Sequence, residues 1–462
     1  MVTLQTISPV DGQLYVERDV ATSKEILRAV SRARCGQTAW RAAGISQRAG
    51  YCSQFVKAFA ANSAEIAEEI SWQMGRPILH APGEVSGVAE RARYMISVAE
   101  EALADIEPDP KPGFRRFIAR EPLGVVLVIA PWNYPFLTAI NAVMAAIMAG
   151  NAVILKPSSQ TPLSAERFAE AFAAAGLPDG VFQFLHLTRE DTARLIGHHG
   201  IDHVMFTGSV GGGRSIKRSA ARRFIGVGLE LGGKDPAYVR VDAPVEFTAK
   251  QLVDGALYNA GQSCCAVERI YVHEDIFEDF VAAFVEGTRQ LQLGDPLSPA
   301  TTLGPVVRPQ AAAFVQGQIA DAVREGAQTW IDPSAYPQTR RGGAYVAPQV
   351  LTNVHHGMRI MKEETFGPAV GIMKVESDDE AVALMNDSPF GLTGSVWTRD
   401  ESAAMAVGNR VQTGTWFMNR CDYLDPALAW TGVKDSGQGC TLSRIGYEQL
   451  TRPRSFHLKL SG

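Results

Sequence analysis

The sequence predicts an α/β protein built on an open, doubly wound parallel sheet, and two observations carry this prediction. Between residues 123 and 207, β-branched runs alternate with helical stretches in a βαβα order. The first run, LGVVLVIA, is apolar throughout apart from its glycine, which is typical of a strand with both faces covered. Such strands lie in parallel sheets that carry helices on both sides.

The first elements are helical. Residues 20–104 have apolar positions at helical spacing, with Ser63 as a predicted N-cap and Gly75 as the end of one helix. Three prolines within EPDPKPGF, residues 107–114, then predict a stiff excursion from the regular elements.

The later elements follow the βαβα order. After the first strand we expect a helix at residues 136–149, the strand AVILK, a helix ending at Gly176, the strand VFQFL, a polar helix and the strand HVMFT. The alternation returns more weakly after residue 236, which predicts a second α/β unit. The final LTRPRSFHLKL is predicted to be an edge strand or an arm.

Composition excludes several classes of protein. A chain of 462 residues can form two or three domains, and its net charge of −5 gives no reason to expect a nucleic-acid partner or an anionic membrane surface. Residues 138–155 come closest to a membrane span, but their asparagines and glycine predict a buried helix followed by a buried strand. MVTLQTISPVDG has neither the charged start nor the apolar stretch of a secretion signal, so we do not expect it to act as one. We therefore expect a cytoplasmic protein with no membrane partner.

Cysteine usage agrees with that location. The six cysteines are expected to be free thiols, since disulfides are rare inside cells. There is no CxxC motif, and no histidine lies near the adjacent Cys264 and Cys265, so we expect no metal site.

A glycine-rich turn, FTGSVGGGR, follows the fourth strand and begins a helix. Glycines let a backbone approach an anion, and the free N–H groups at a helix start point towards it, so this pattern indicates phosphate binding. The spacing is not GxGxxG, and a flexible turn without a ligand is the alternative interpretation.

Two polar side chains follow buried strands. In APWNYPF, prolines bracket Trp132 and Asn133, and an amide held there can donate to a developing oxyanion; a simple turn is the alternative. In LELGGKDP, Glu230 ends an apolar strand, where burial would raise its pKa and suit it to act as a base. Pairing of Glu230 with a nearby Lys or Arg is the alternative.

The two adjacent cysteines lie in AGQSCCA, a loop of small residues before an apolar run. A nucleophilic thiol needs such a partly polar, accessible setting. The alternatives are packing in the core, the usual place of a free cysteine, and a disulfide, which adjacent cysteines form only with strain.

Six motifs occur in order along the chain: APWNYPF, LKPSSQTP, FTGSVGGGR, LELGGKDP, GQSCCA and EETFGP. With SPVDG, AGLPDGVF, GDPLSPATTLGP, FGLTGSVWT and GVKDSGQG, they resemble the aldehyde dehydrogenase superfamily over residues 6–460. The resemblance implies an oxidoreductase that uses NAD or NADP to oxidise a small aldehyde to a carboxylic acid, through a thiohemiacetal and a thioester on cysteine.

The resemblance also implies a role for each matching residue. In the family's GQxC pattern Cys264 is the nucleophile, and Cys265 is its packed neighbour. Asn133 and the backbone N–H of Cys264 would hold the oxyanion, and Glu230 would be the general base. The positions that match cofactor-binding residues are Trp132, Lys156, Gly208, Ser209, Glu364 and Phe366.

The fold that the resemblance implies is a Rossmann-like cofactor domain, a second α/β catalytic domain and a β-strand oligomerisation arm. We expect the dinucleotide-binding domain at residues 1–240, with residues 107–122 an excursion into the arm. The catalytic domain would be 241–430, and the C-terminal segment 431–462 would lie partly in the arm. Such proteins are commonly homodimers or homotetramers.

One departure from the family pattern concerns the cofactor. KPSSQTP places Ser159 where many NAD-preferring members resemble KPSEQTP, with an acid. A carboxylate there binds the ribose 2′-OH and repels a 2′-phosphate, whereas serine does not repel it and Lys156 is close by. We therefore expect NADP to be accepted, alongside NAD.

A second departure lies in NRCDYLDPALAW, at the expected substrate entrance. Arg420 suits an aldehyde that carries a carboxylate, whereas Asp422, or Glu100 and Glu101 of an earlier helix, suits an amino-aldehyde. Simple solvation of these charges is the third possibility, so the substrate stays open.

Two other functions remain possible at this point. A CoA-acylating aldehyde dehydrogenase would pass the thioester to CoA, and the presence of Glu230 argues against it. A non-catalytic structural member of the family is the other, and the intact Cys264 and Asn133 argue against that. Selective alkylation of Cys264 by iodoacetamide would distinguish an active site from an inactive one.

Overall fold

The computed structural model describes residues 2–341 and 343–460 of the chain. The N-terminal part is a hairpin followed by four helices: β1 (Thr3–Ile7), β2 (Leu14–Asp19), α1 (Ser23–Trp40), α2 (Ile45–Ala61), α3 (Ser63–Met74) and α4 (Pro82–Ala102). Ser63 is wrongly predicted as an N-cap, because one residue, Asn62, separates α2 from α3 and occupies the cap position itself. Gly75 ends α3 as predicted, with a φ of 85° that glycine adopts at little cost.

The predicted βαβα region forms as expected. It comprises β3 (Phe114–Pro122), β4 (Val125–Ile129), α5 (Leu137–Met148), β5 (Ala152–Lys156), α6 (Leu163–Ala174), β6 (Phe182–Phe184), α7 (Arg189–Gly197), β7 (His203–Thr207), α8 (Val210–Ala220) and β8 (Gly226–Glu230). The strands β8, β7, β4, β5 and β6 are neighbours in that order, and each pair is parallel. Apolar residues of α5 and α6 pack on one face of this first sheet, and those of α1, α7 and α8 pack on the other, so it is doubly wound.

The second α/β unit is larger than its weak sequence pattern indicates. It comprises β9 (Asp235–Val239), α9 (Val245–Leu257), β10 (Val267–His273), α10 (Phe277–Arg289), α11 (Pro309–Arg324), β11 (Gln328–Thr329), β12 (Gln349–Thr352), α12 (Arg359–Lys362), β13 (Ala369–Val375), α13 (Asp378–Asn386), β14 (Thr393–Trp397), α14 (Glu401–Gly408) and β15 (Thr415–Met418). Its sheet has the order β11-β12-β13-β10-β9-β14-β15, and all pairs except β11 with β12 are parallel.

The C-terminal residues return to the first half of the chain. The short β16 (Gly437–Gln438) adds to the first sheet antiparallel to β8. The last strand, β17 (Thr451–Lys459), pairs with β3 along its whole length to make a separate two-stranded ribbon. The rings of Phe117 and Phe456 stack across this ribbon with centroids 4.5 Å apart. The C-terminal stretch is therefore a strand, as predicted.

The topology opens a cleft at one end of the first sheet. From β4 the chain continues to β5 on one side and later to β7 on the other, and ligand crevices of doubly wound sheets open at the carboxyl ends beside such a reversal. In this cleft, the segment that precedes β10 lies next to the segments that follow β4, β7 and β8. Among the described residues, no helix has the length and apolar content that crossing a membrane requires.

Candidate functional site

Two cavities meet at Cys264. The first, which we call the crevice, has a volume of about 330 Å³ and is lined by residues that include Trp132, Asn133, Gly208, Ser209, Cys264, Glu364 and Phe366. The second, which we call the inner pocket, has a volume of about 310 Å³ and is lined by residues that include Glu230, Cys264, Cys265 and Asp422. Cys264 is half-buried and lines both cavities, so a group in either one can reach its thiol.

The glycine-rich turn forms the start of α8 at the crevice. The Ser209 side chain caps this helix by accepting the N–H of Gly212 at 3.2 Å. A Cβ atom on Gly208 or on Gly212 would lie 2.7 Å from the ring of Phe206, so neither position has room for a side chain. The first N–H groups of a helix have no partner within the helix, and α8 can therefore offer them to an anion in the crevice.

Two aromatic rings are in contact in the crevice. Trp132 and Phe366 meet edge to face, with ring centroids 5.5 Å apart. Phe366 has a φ of 49°, which is unusual for an aromatic residue and costs about 1–3 kcal/mol. The buried carboxylate of Glu268 holds this conformation, because it accepts the backbone N–H groups of Thr365 at 2.7 Å and Phe366 at 2.9 Å.

Glu364 lies on the same segment as Phe366. Its carboxylate accepts the N–H of Gly233 at 3.1 Å, and burial together with nearby Glu268 raises the pKa of Glu364 to about 8. A Cβ atom on Gly232 would lie 2.3 Å from this carboxylate. The glycine pair of LELGGKDP therefore lets Glu364 approach the backbone closely.

Two of the predicted cofactor residues lie outside the crevice lining. Lys156 ends β5, next to Ile129 of β4, and Ser159 follows it on an exposed turn. Burial and the charge of Arg189 lower the pKa of Lys156 to about 8. Lys156 and Ser159 therefore lie along the carboxyl-end edge of the first sheet, on the β5 side of β4, and do not line the cavity beside Cys264.

Asn133 is positioned from both sides. Its side-chain amide donates to the backbone oxygen of Gln262 at 3.1 Å, two residues before Cys264. Its backbone oxygen accepts from Arg76, a fully buried arginine that also donates to Asn259. An NH₂ group has two hydrogens, so one remains for a further acceptor near Cys264.

Arg76 belongs to a buried ion pair with Glu84, and both side chains are almost fully enclosed. Glu84 in turn accepts the N–H groups of Phe136 at 2.8 Å and Leu137 at 3.2 Å, at the start of α5. The pair therefore fixes both ends of the segment that carries Asn133. Sequence reasoning missed this pair, because Arg76 lies in the segment after α3 and Glu84 lies in α4, and only the folded chain shows that both are buried.

Within the described part of the chain, no Lys or Arg forms an ion pair with Glu230. Thr441 and Thr207 donate to its carboxylate, the latter at 3.2 Å. Burial raises the pKa of Glu230, while these two hydroxyl groups and the charge of Arg91 act in the opposite direction. The predicted upward shift is present, and the ion-pair alternative is wrong.

The loop around the two cysteines is ordered by Asp422. Its Oδ1 accepts the Ser263 hydroxyl at 3.0 Å and the Cys265 thiol at 2.9 Å. Cys265 is 2% exposed, as the prediction of a packed neighbour requires, and all six cysteines are unpaired. Ser263, Cys265 and Asp422 all line the inner pocket.

The other charges considered for the substrate entrance lie elsewhere. Arg420 is exposed, and its guanidinium lies over the ring of Tyr423 at 3.6 Å. Glu101 is exposed and pairs with Arg444, and neither it nor Glu100 belongs to the inner pocket lining. Of the candidates named from sequence, Asp422 is the one that the pocket contains.

Fold and site together define the class of α/β proteins that bind a dinucleotide at the switch point of a doubly wound sheet, here with a thiol beside the crevice. Comparison with known proteins identifies the family. The model of the aldehyde dehydrogenase family matches residues 2–456, and the chain belongs to this family.

Three similar proteins illustrate the match. The 3,6-anhydro-alpha-L-galactose dehydrogenase of Streptomyces coelicolor is 35% identical, over 99% of this chain and 93% of the relative. The succinate-semialdehyde dehydrogenase [NADP(+)] of Deinococcus radiodurans is 34% identical, over 97% and 93%. The solved structure of an NAD-dependent aldehyde dehydrogenase from Sinorhizobium meliloti is 32% identical, with a TM-score of 0.95 over 100% of this chain and 92% of that one. The protein is thus an NAD(P)-dependent aldehyde dehydrogenase, which oxidises aldehydes to carboxylic acids.

Proposed function

We propose that Cys264 is the nucleophile, and that the inner pocket holds the aldehyde while the crevice holds the nicotinamide. The observation that carries this proposal is that Cys264 is the cysteine that lines both cavities. Its thiolate adds to the aldehyde carbon, and the carbonyl becomes an oxyanion. Loss of hydride from that carbon leaves a thioester on Cys264, which water converts to the acid.

Asn133 holds the oxyanion in this proposal. Its second amide hydrogen is available, because the first is engaged by Gln262. The backbone N–H of Cys264 is the second donor. The buried Arg76–Glu84 pair keeps Asn133 in place before the substrate arrives, which is the condition for effective electrostatic stabilisation.

Glu230 activates the water that hydrolyses the thioester. It lines the inner pocket, and two hydroxyl donors orient its carboxylate. Burial raises its pKa, which makes its carboxylate a stronger base than that of an exposed glutamate, and the two hydroxyl donors limit that rise.

The crevice fits a dinucleotide, because the turn at Gly208 and Gly212 has no room for a side chain and α8 begins there with a capped N-terminus. Bound NAD or NADP would supply the hydride acceptor. The start of α8, with Ser209, would hold the pyrophosphate. Trp132 and Phe366 would enclose the nicotinamide half, and Glu364 would accept hydrogen bonds from its ribose.

NADP is accepted alongside NAD in this proposal. The 2′-phosphate would lie near Ser159, Lys156 and Arg189, where two cationic side chains lie within electrostatic reach of each other. Ser159 brings no negative charge to oppose a phosphate. Turnover with NAD but none with NADP would contradict this part of the proposal.

The assembly and domain division are also proposed. The proposed domains are residues 1–240, 241–430 and 431–462; the first sheet is nearly complete at Glu230 and the second begins at Asp235, which favours a first boundary a few residues before 240. The ribbon of β3 and β17 supports a homodimer or homotetramer, because an isolated two-stranded ribbon is marginal in water. The six unpaired cysteines support a cytoplasmic location.

The experiment that tests the proposal measures reduced nicotinamide by absorbance with a panel of aldehydes, using NAD and NADP separately. We expect turnover by the wild type, loss of turnover in Cys264→Ala, and retention in Cys35→Ala, which removes an exposed cysteine of α1. Full activity of Cys264→Ala would overturn the assignment. Turnover that requires added CoA would favour a CoA-acylating enzyme instead.

A further inference from the structure

The charged groups of the inner pocket are mostly acidic. Its described lining contains four carboxylates, those of Glu90, Glu230, Asp254 and Asp422, and one guanidinium, that of Arg91. Glu90 and Asp254 are exposed, so they lie where the pocket opens to solvent, whereas Asp422 lies deeper, beside the cysteine loop. The field along the pocket therefore favours a positively charged ligand.

The one cation of the lining is already engaged. Arg91 is 8% exposed and donates to the backbone oxygen of Leu137 at 2.9 Å and to the side chain of Asn141 at 3.0 Å. The carboxylates of Glu230, Glu84 and Glu90 lie within electrostatic reach of it. The two hydrogen bonds hold the guanidinium against α5, and because the lining has four carboxylates and one guanidinium, an anionic substrate would meet more negative than positive charge.

Among the residues that the structure describes, none forms an ion pair with Asp422. The two groups that donate to it, the Ser263 hydroxyl and the Cys265 thiol, are neutral and share one oxygen, Oδ1. The charge of Arg76 acts on Asp422, but Arg76 forms its ion pair with Glu84. Burial raises the pKa of Asp422 to about 7, so the carboxylate lacks the stabilisation that a counter-ion would give it.

Aromatic rings complete the surroundings of Asp422. Tyr134 and Tyr258 line the same pocket, and the pKa of each phenol is raised, chiefly by burial and in part by the charge of Asp422. Tyr423 and Trp430 also belong to the lining. A carboxylate among aromatic faces is the usual environment of a bound ammonium group, because ring quadrupoles attract cations.

We infer that the inner pocket selects aldehydes that carry an ammonium group, and that Asp422 is the residue that binds this group. This inference rests on the proposed function, since it assigns the substrate class of the same pocket. The cationic end would lie against Asp422 and the tyrosine rings while the carbonyl lies at Cys264. The same charges disfavour an aldehyde with a terminal carboxylate, such as succinate semialdehyde.

The test compares aldehydes that differ in charge and little else. Betaine aldehyde and tert-butylacetaldehyde have the same shape, as do aminopropionaldehyde and butyraldehyde, and succinate semialdehyde supplies the negative charge. For the wild type we expect kcat/KM to be at least about tenfold higher for the cationic member of at least one pair, the effect of one charge-assisted contact. Succinate semialdehyde should be the poorest substrate.

The variant Asp422→Asn isolates the charge. Asparagine keeps an oxygen that can accept from Ser263 and Cys265, so the loop retains its hydrogen bonds. We expect the ratio of kcat/KM between cationic and neutral aldehydes to fall at least about tenfold. Asp425→Asn is the matched control, because Asp425 is exposed on the same loop and does not line the pocket. Its carboxylate accepts the backbone N–H of Ala427.

A second measurement does not depend on a variant. Tetramethylammonium chloride should compete with a neutral aldehyde in the wild type more strongly than sodium chloride at equal ionic strength. If the wild type turns over aldehydes but kcat/KM is no higher for the cationic aldehyde in either pair, the inference is wrong while the proposed function stands. The same holds if the preference for the cationic aldehyde is unchanged in Asp422→Asn. No turnover of any aldehyde, in the wild type as in Cys264→Ala, would instead overturn the proposed function.

Discussion

Glu230, the proposed base, has a buried carboxylate that accepts hydrogen bonds from two hydroxyl groups. We expect Glu230→Gln to reduce steady-state turnover by about 10²–10⁴-fold, because an amide cannot take a proton from water. The first turnover should persist, since Cys264 and Asn133 are unchanged, so a burst of about one reduced nicotinamide per active site should precede the slow phase. Rapid-mixing absorbance measures both phases, and loss of the burst together with the steady rate would contradict a role confined to hydrolysis.

The pH profile supplies an independent check on Glu230. The base form is the carboxylate, so turnover is present above its pKa and is lost as pH falls through it. Because burial raises this pKa, the acid limb of kcat should lie above the range of an exposed glutamate. The Thr441 hydroxyl lowers the pKa, so Thr441→Val should move the acid limb to higher pH. A limb that stays in place in Thr441→Val would assign it to another group.

At the scale of elements, the segment that precedes β13 depends on one buried ion pair. The Nζ of Lys234 donates to Oε2 of Glu268 at 2.6 Å. The same carboxylate accepts the backbone N–H groups of Thr365 and Phe366. We expect Glu268→Gln to destabilise the fold by about 3–5 kcal/mol, because it leaves a buried charge on Lys234. The midpoint of urea unfolding should fall, and the affinity for NAD or NADP should weaken as Phe366 loses its support.

Two further variants separate charge from packing. Adding Lys234→Met to Glu268→Gln removes the unpaired charge, so the urea midpoint should partly recover. Glu278→Gln makes the same change in an exposed pair with Lys374, where we expect an effect of at most about 1 kcal/mol. An equal loss in Glu268→Gln and Glu278→Gln would mean that the buried pair has no special importance.

The elements of the first sheet were the most predictable part of the fold. Their strands are short apolar runs bounded by glycine and proline, and each helix carries its own periodicity, so local pattern is sufficient. The strands of the second sheet are less uniformly apolar, so the sequence predicted a second α/β unit after residue 236 but not its individual strands. Ser63 shows the limit at element boundaries, since the spacing between α2 and α3 decides which residue is the cap.

The site was predictable where a motif carries its own geometry. Cys264, Glu230 and Asn133 became candidates because each follows or precedes a predicted buried strand, and their catalytic roles, implied by the resemblance to the family, stay predictions; the structure brings all three to the crevice or the inner pocket. The pairs Arg76–Glu84 and Lys234–Glu268 could not be named, since burial of a charge depends on elements that meet only in the folded chain. Asp422 lies 157 residues from Cys265, and no local pattern distinguishes a carboxylate that enters a pocket from one in solvent.

For the molecule as a whole, the site lies where two sheets meet, and the ribbon of β3 and β17 lies apart from both. Ile106 forms a bridge with Ile118 of β3, so the outer side of β3 is partly covered. Among the described residues, no strand is assigned next to the outer edge of β17. An edge strand with unpaired backbone groups is a surface on which a second copy can add.

We therefore expect the full chain to have a mass in solution of at least twice 49.9 kDa, and a chain ending at Leu450 to form a smaller assembly. Removing β17 leaves β3 without its partner strand, and the ribbon cannot form. Light scattering after size exclusion measures both masses. Phe456→Asp is a milder variant that keeps the chain length and disrupts the stack with Phe117. A monomeric full chain, or a truncated chain whose assembly is unchanged, would show that this ribbon does not hold the oligomer together.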